Sequence, residues 1–266
     1  MISKPLFKAT IKQNIFVFTL ILVVLMIYLP IIIMLYEPAT KESLNDVLAV
    51  MPEGLIAAMG LNNLGSTLTD FIGNYFYGFL ILLLPMIYTI TVCNRSIASL
   101  VDKGSMAYLL STPNKRTKIA LTQAVFIIAS ITAMIAFVTI AGIAISNITF
   151  PGELDISAFL LLNTGALILF YAITGIGFFS SCLFNDAKNS LMVGAGLPVL
   201  FLVVQMISDI DEKVHFFKYF TLFTLYDPEK IIHNGIFLPQ FIILFSMAFI
   251  MYGLAIYVFD KKDLPI

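Results

Sequence analysis

Few residues in this chain have the chemistry to act as catalysts or ligands. Two cysteines, Cys93 and Cys182, fall near the ends of apolar runs with no CxxC spacing. They read as small buried hydrophobes rather than metal or redox groups. The two histidines, His215 and His233, share one segment. No H-E-x-x-H pair could hold zinc, and no serine or cysteine nucleophile can be argued to pair with either histidine. Lys103-Gly104-Ser105 has the residue types that end the phosphate-binding loop G-x-x-x-x-G-K-[ST], but the loop's first glycine is missing, and position 98 is Ala98. Without it the backbone cannot wrap a phosphate, so the match is chance. Two N-x-[ST] triplets, at Asn94 and Asn147, are also at chance level.

The elements that would position any site are six charge-free runs, at 13–36, 71–94, 119–152, 156–185, 189–208 and 234–259. A bilayer core of about 30 Å takes about 20 apolar residues as a helix. Backbone in lipid must satisfy its own hydrogen bonds, which favours helices. The expectation is an all-α, polytopic membrane protein with six spans near 15–36, 71–94, 119–147, 157–184, 189–208 and 235–259. Composition agrees: 60% of the 266 residues are hydrophobic and 12% are charged, where soluble domains carry roughly 25% charge. The segments between runs are too short to bury a core of their own, so the chain reads as one transmembrane domain, 1–266.

Charge sets the orientation. With six spans, eleven of the 15 lysines and arginines fall on the face that carries both termini, and Lys41, Lys213, Lys218 and Lys230 fall on the other. The positive-inside rule puts both termini in the cytoplasm of a plasma (inner) membrane protein. Lys4, Lys8 and Lys12 mark residues 1–14 as a basic amphipathic lead along the inner leaflet. The first run is too long for a signal peptide and has no small-residue cleavage site, so it reads as an uncleaved span. Outside, the aromatic stretch His215-Phe-Phe-Lys-Tyr-Phe-Thr-Leu-Phe-Thr-Leu-Tyr226 is too short to span, and 209–234 reads as a re-entrant or interfacial segment.

No titratable acid or base sits inside a span. Ion-coupled carriers usually place such groups at mid-membrane, which disfavours a carrier working alone. Small residues and proline mark the places where helices would pack or bend. Gly73 and Gly78 lie in span two, and Gly194, Gly196 and Pro198 in span five. They are candidate hinges or pathway residues, with close helix packing as the plain alternative.

The inner loop 95–118 is the most distinctive stretch. Asp102 and Lys103 precede Gly104, then an apolar turn Ser105-Met-Ala-Tyr-Leu-Leu110, then Ser111-Thr112-Pro113 and the basic cluster Lys115, Arg116 and Lys118. Pro113 stops the short helix. This arrangement resembles the coupling helix of permease subunits of ABC-2-type exporters, as does the charged ending at 259–266. The likeness extends to the architecture: six spans, a basic lead and an outer segment before span six.

The resemblance implies a type V exporter-like permease fold and a docking site for a cytoplasmic ABC ATPase at Lys103, Gly104, Ser105, Met106, Ala107, Tyr108, Leu109, Leu110, Thr112 and Pro113. It implies two ATPase copies on separate chains that bind ATP and Mg, since this chain carries no cofactor. A second permease copy would complete the complex as a homo- or heterodimer, with a pathway lined mainly by spans one, two and five. The apolar spans point to amphipathic or hydrophobic cargo, a peptide, a drug or a lipid-like molecule, moved outward. A stand-alone carrier or channel and a non-transporting immunity or sensor protein remain alternatives.

Overall fold

The computed structural model describes residues 2–36, 50–58, 65–112, 114–210, 212–233, 235 and 237–264. Ten α-helices account for most of them: α1 Lys4–Met34, α2 Glu53–Ala58, α3 Leu68–Ser96, α4 Ala98–Asp102, α5 Ser105–Leu110, α6 Arg116–Thr149, α7 Ile156–Leu183, α8 Ala187–Ser208, α9 Pro228–Ile232 and α10 Leu238–Lys261. Six of these, α1, α3, α6, α7, α8 and α10, are long and apolar enough to cross a membrane. No strand occurs among the described residues.

The basic lead is not a separate element. It forms the first turns of α1, which Pro5 opens and which continues unbroken through Lys12. Proline suits that first turn, where its missing N–H costs nothing. Aspartates set the ends of three other helices. The Asp155 carboxylate accepts from the Ser157 and Ala158 N–H groups (2.9 and 3.1 Å) at α7, Asp186 accepts from Asn189 N–H (2.7 Å) at α8, and Asp227 accepts from Lys230 N–H (3.2 Å) at α9. At α3, Thr67 and Asp70 cap each other: the Asp70 N–H donates to Thr67 Oγ1 and the Thr67 N–H to Asp70 Oδ2, both at 3.1 Å. Such caps satisfy amides that a helix leaves open at its N-terminus. Asp70 is therefore part of its helix, which begins at Leu68, three residues before the charge-free run opens at Phe71.

α7 is the centre of the bundle and packs against α3, α6, α8 and α10. Within their apolar windows α3 and α7 are each 56% buried, against 17% for α8 and 22% for α1. α3 is not uniform: Gly73–Leu80 is a π-helical stretch of 8 residues. Wide turns of this kind are rare and concentrate at functional sites. Between α8 and α10, the segment Glu212–Phe220 is 3-10 helical, as is Phe223–Leu225. Gln205 on α8 ties this segment down, its Oε1 accepting from the Thr221 and Thr224 hydroxyls at 2.7 and 2.8 Å.

Candidate functional site

The inner loop is built as helix, turn, helix. α3 ends where Ile97 leaves helical geometry, α4 follows, and Gly104 turns the chain at φ +70° into α5. That left-handed conformation strains any residue with a Cβ, which is why glycine stands there. Met106 is the anchor of α5, 2% exposed, while Tyr108 points away at 80% exposed. Lys103, Gly104 and Thr112 are exposed, and Ser105, Ala107, Leu109 and Leu110 are half-buried. Pro113 lies outside the described residues. α5 thus holds one face on the bundle and presents the other, with Tyr108 at its middle.

The loop is tied to the centre of the bundle by a residue that sequence reading missed. Ser181, fully buried near the end of α7, accepts from the Ala98 N–H at 2.9 Å and the Ile97 N–H at 3.2 Å, with Ser96 Oγ also 3.2 Å away. One hydroxyl therefore satisfies the amides left open where α3 breaks into α4. Next to it, Lys262 Nζ donates to the Cys182 carbonyl at 3.1 Å, and Arg116 at the start of α6 donates to the Lys262 carbonyl. Burial pulls the Lys262 ammonium below the ordinary lysine value. The loop, the charged ending and the start of α6 all meet at the C-terminal end of α7.

The lead lies beside the loop. Leu6, Ala9, Thr10 and Gln13 of α1 face Leu100, Ser105, Tyr108 and Leu109 across a groove of about 270 Å³. The Ser3 N–H donates to Thr122 Oγ1 (3.0 Å), Thr10 Oγ1 to Gln123 Oε1 (3.4 Å), and Arg95 Nη1 to the Gln13 carbonyl (3.3 Å). Lys4, Lys8 and Lys12 remain exposed. Basic lead and coupling-like helix form one continuous surface.

The candidate hinge residues fall in two groups, one in α3 and one in α8. Gly73 and Gly78 both fall in the π-helical stretch of α3, and a Cβ on Gly73 would collide with Ile232 Cδ1 of α9. Gly194 meets Gly177 of α7, where a Cβ would sit 3.3 Å from its Cα. Gly194 is thus a close-packing residue. Gly196 faces open space, and Pro198 is buried inside α8, where it removes one backbone donor. Cys93 and Cys182 are both buried free thiols. His233 is exposed beside Asp70, Nε2 to Oδ1 3.4 Å.

The described residues therefore form a bundle of membrane-type helices with a small helix, α5, held by its buried methionine and flanked by a basic helix end, on a loop fastened by Ser181. No curated protein and no solved structure matches the chain. The family model described as "ABC-2 family transporter protein" matches it over residues 2–264. That span takes in all six membrane helices, the inner loop and the charged ending, so the chain belongs to the ABC-2 family of ABC transporter membrane subunits.

Proposed function

We propose that this membrane subunit is the permease of an ATP-driven exporter and that α5 is where a cytoplasmic ABC ATPase grips it. The observation that carries the reading is the division of α5 into a buried Met106 and an exposed Tyr108 on a loop anchored to α7 by Ser181. A knob fixed at its base can deliver a push to the bundle, whereas a slack connector would absorb it. Lys103 and Gly104 before α5, and Ser105, Ala107, Leu109, Leu110, Thr112 and Pro113 along and after it, make up the rest of the docking stretch. The exposed Lys4, Lys8 and Lys12 beside it extend the contact, with both termini in the cytoplasm.

In this reading two ATPase copies bind ATP and Mg and close on each other, drawing two α5 helices together beneath a dimer of permeases. The membrane helices that need cover are α1 and α8, which bury the least within the chain. A second permease copy, identical or related, supports itself on that surface, with the pathway running along it. Gly78 and Pro198 supply local freedom in α3 and α8. Cargo is amphipathic or hydrophobic, because the spans supply no interior charge to pair with a strongly ionic one.

The test is purification of the full chain from its native membrane in mild detergent, followed by mass spectrometry and an ATPase assay. The expected result is a stoichiometric ABC ATPase whose activity rises with the permease. An eluate that carries a permease dimer but no ATPase contradicts the docking role.

A further inference from the structure

We propose that an anionic phospholipid binds at the lipid-facing crevice between α1, α3 and α6, with part of one acyl chain in the crevice and its headgroup on Lys8, Lys12 and Lys118. The crevice measures about 210 Å³, and Phe7, Ile11, Ile15, Phe126 and Ala129 are among its walls. The polar residues that line it spend themselves elsewhere. Asn14 Nδ2 donates to the Thr10 carbonyl at 3.0 Å and Ser130 Oγ to the Ile127 carbonyl at 2.9 Å, and the Asn14 and Tyr88 oxygens are closed off from any occupant. What an occupant meets is hydrocarbon, with no charged side chain among the walls. Ile11, 40% exposed, Ile15, 49% exposed, and the exposed Ala129 form the mouth. The volume is below that of drug-sized pockets, which run from about 300 Å³, so it takes a length of one chain while the rest of the lipid stays in the bilayer.

Cations stand on the same helix faces as the mouth. A helix turns once in about 3.6 residues. Lys8 lies seven residues before Ile15, close to two full turns, and Lys12 lies three before it. On α6, Lys118 lies eleven residues before Ala129, close to three full turns. The starts of the two helices are joined. Thr122 Oγ1 accepts from the Ser3 N–H at 3.0 Å and donates to the Lys118 carbonyl at 2.6 Å, and the Phe7 and Phe126 rings meet edge to face at 5.7 Å. The basic ends of α1 and α6 therefore converge beside the crevice. Neither helix contains an aspartate or glutamate, and among the described residues no carboxylate pairs with these lysines. Lysine stems lie along apolar surface and hold their heads at headgroup level. A phospholipid with net negative charge supplies the missing counter-charge, which a zwitterionic one does not. α1 is also one of the two least covered spans, and the chain would fill the gap between it and the bundle.

The full chain is reconstituted in phosphatidylcholine vesicles with a trace of phosphatidylglycerol that carries a diazirine in one acyl chain. After irradiation, labelled residues are mapped by mass spectrometry. Adducts are expected to concentrate about tenfold in residues 7–18 and 126–133 over the exposed stretch 242–250 of α10, and diazirine phosphatidylcholine should show no such preference. About a tenfold excess of unlabelled phosphatidylglycerol should lower them about tenfold by mass action, while soluble glycerol phosphate should not. Lys8→Gln and Lys12→Gln, both at exposed positions, should each weaken labelling about fivefold, the worth of one lysine at an anionic surface. Ala129→Phe, at the mouth, should block it. Labelling that ignores headgroup charge, or that persists undiminished in the lysine variants and in Ala129→Phe, reports ordinary lipid contact and overturns the site. Competition by glycerol phosphate makes it a phosphate site without the acyl chain and overturns the lipid assignment.

Discussion

At the scale of single residues, the inner loop depends on three side chains with separate duties. Met106 seats α5, Tyr108 faces outward, and Ser181 fastens the loop's base. Tyr108→Asp changes an exposed position, where substitutions usually alter stability by no more than about 0.5 kcal/mol. It should leave the melting temperature in place while weakening recovery of the ATPase at least tenfold. Leu109 is half-buried, so its replacement would mix a folding effect with a docking effect and is the poorer probe. Ser181→Ala strands two buried amides at a cost of about 1–3 kcal/mol. The expected readout is a lower melting temperature together with faster proteolysis of the loop, with Ser181→Thr restoring part of both. Ser181 illustrates what the chain order conceals: its partners are 83 and 84 residues away, and a serine in an apolar run carries no periodic or motif signal. Gly104, Pro113 and the basic cluster, by contrast, are local punctuation and could be read directly.

At the scale of elements, the helices follow the charge-free runs because lipid leaves a backbone little choice. Their ends follow less uniformly: Asp155 caps α7 where the charge-free run begins, whereas Asp70 lies inside α3, which starts at Leu68. The continuity of α1 was also hidden, because three lysines spaced four apart look the same on a surface helix and on the solvated turns of a spanning one. The π-helical stretch of α3, which packs against α7, α9 and α1, has no counterpart in the hydrophobic pattern. The two α8 glycines separate packing from freedom. Gly194→Leu should drive α8 away from Gly177 and destabilise the fold, whereas Gly196→Ala meets nothing within 4 Å and should stabilise by about 0.5–1 kcal/mol through helix propensity. Thermal unfolding of the two variants, side by side, checks the assignment.

At the scale of the whole molecule, the bundle has a firm centre in α3 and α7 and two thinly covered spans in α1 and α8. The C-terminal end of α7 gathers the loop, the start of α6 and the charged ending, so displacement of α5 would reach this central helix first. The distribution of basic residues predicts the membrane sidedness. A cysteine at Lys103 should react with a membrane-impermeant maleimide only after the cells are opened, and one at Glu229 should react in intact cells. The reverse pattern would invert the topology and remove α5 from the cytoplasm.

The most direct measurement is photo-crosslinking from α5 itself. A benzophenone amino acid replaces Tyr108, and in a second protein it replaces Tyr219, which is exposed on the outer segment. After irradiation of native membranes, we expect an adduct between the Tyr108 position and an ABC ATPase, and none from the Tyr219 position. An ATPase adduct from the Tyr219 position with none from the Tyr108 position would contradict the account.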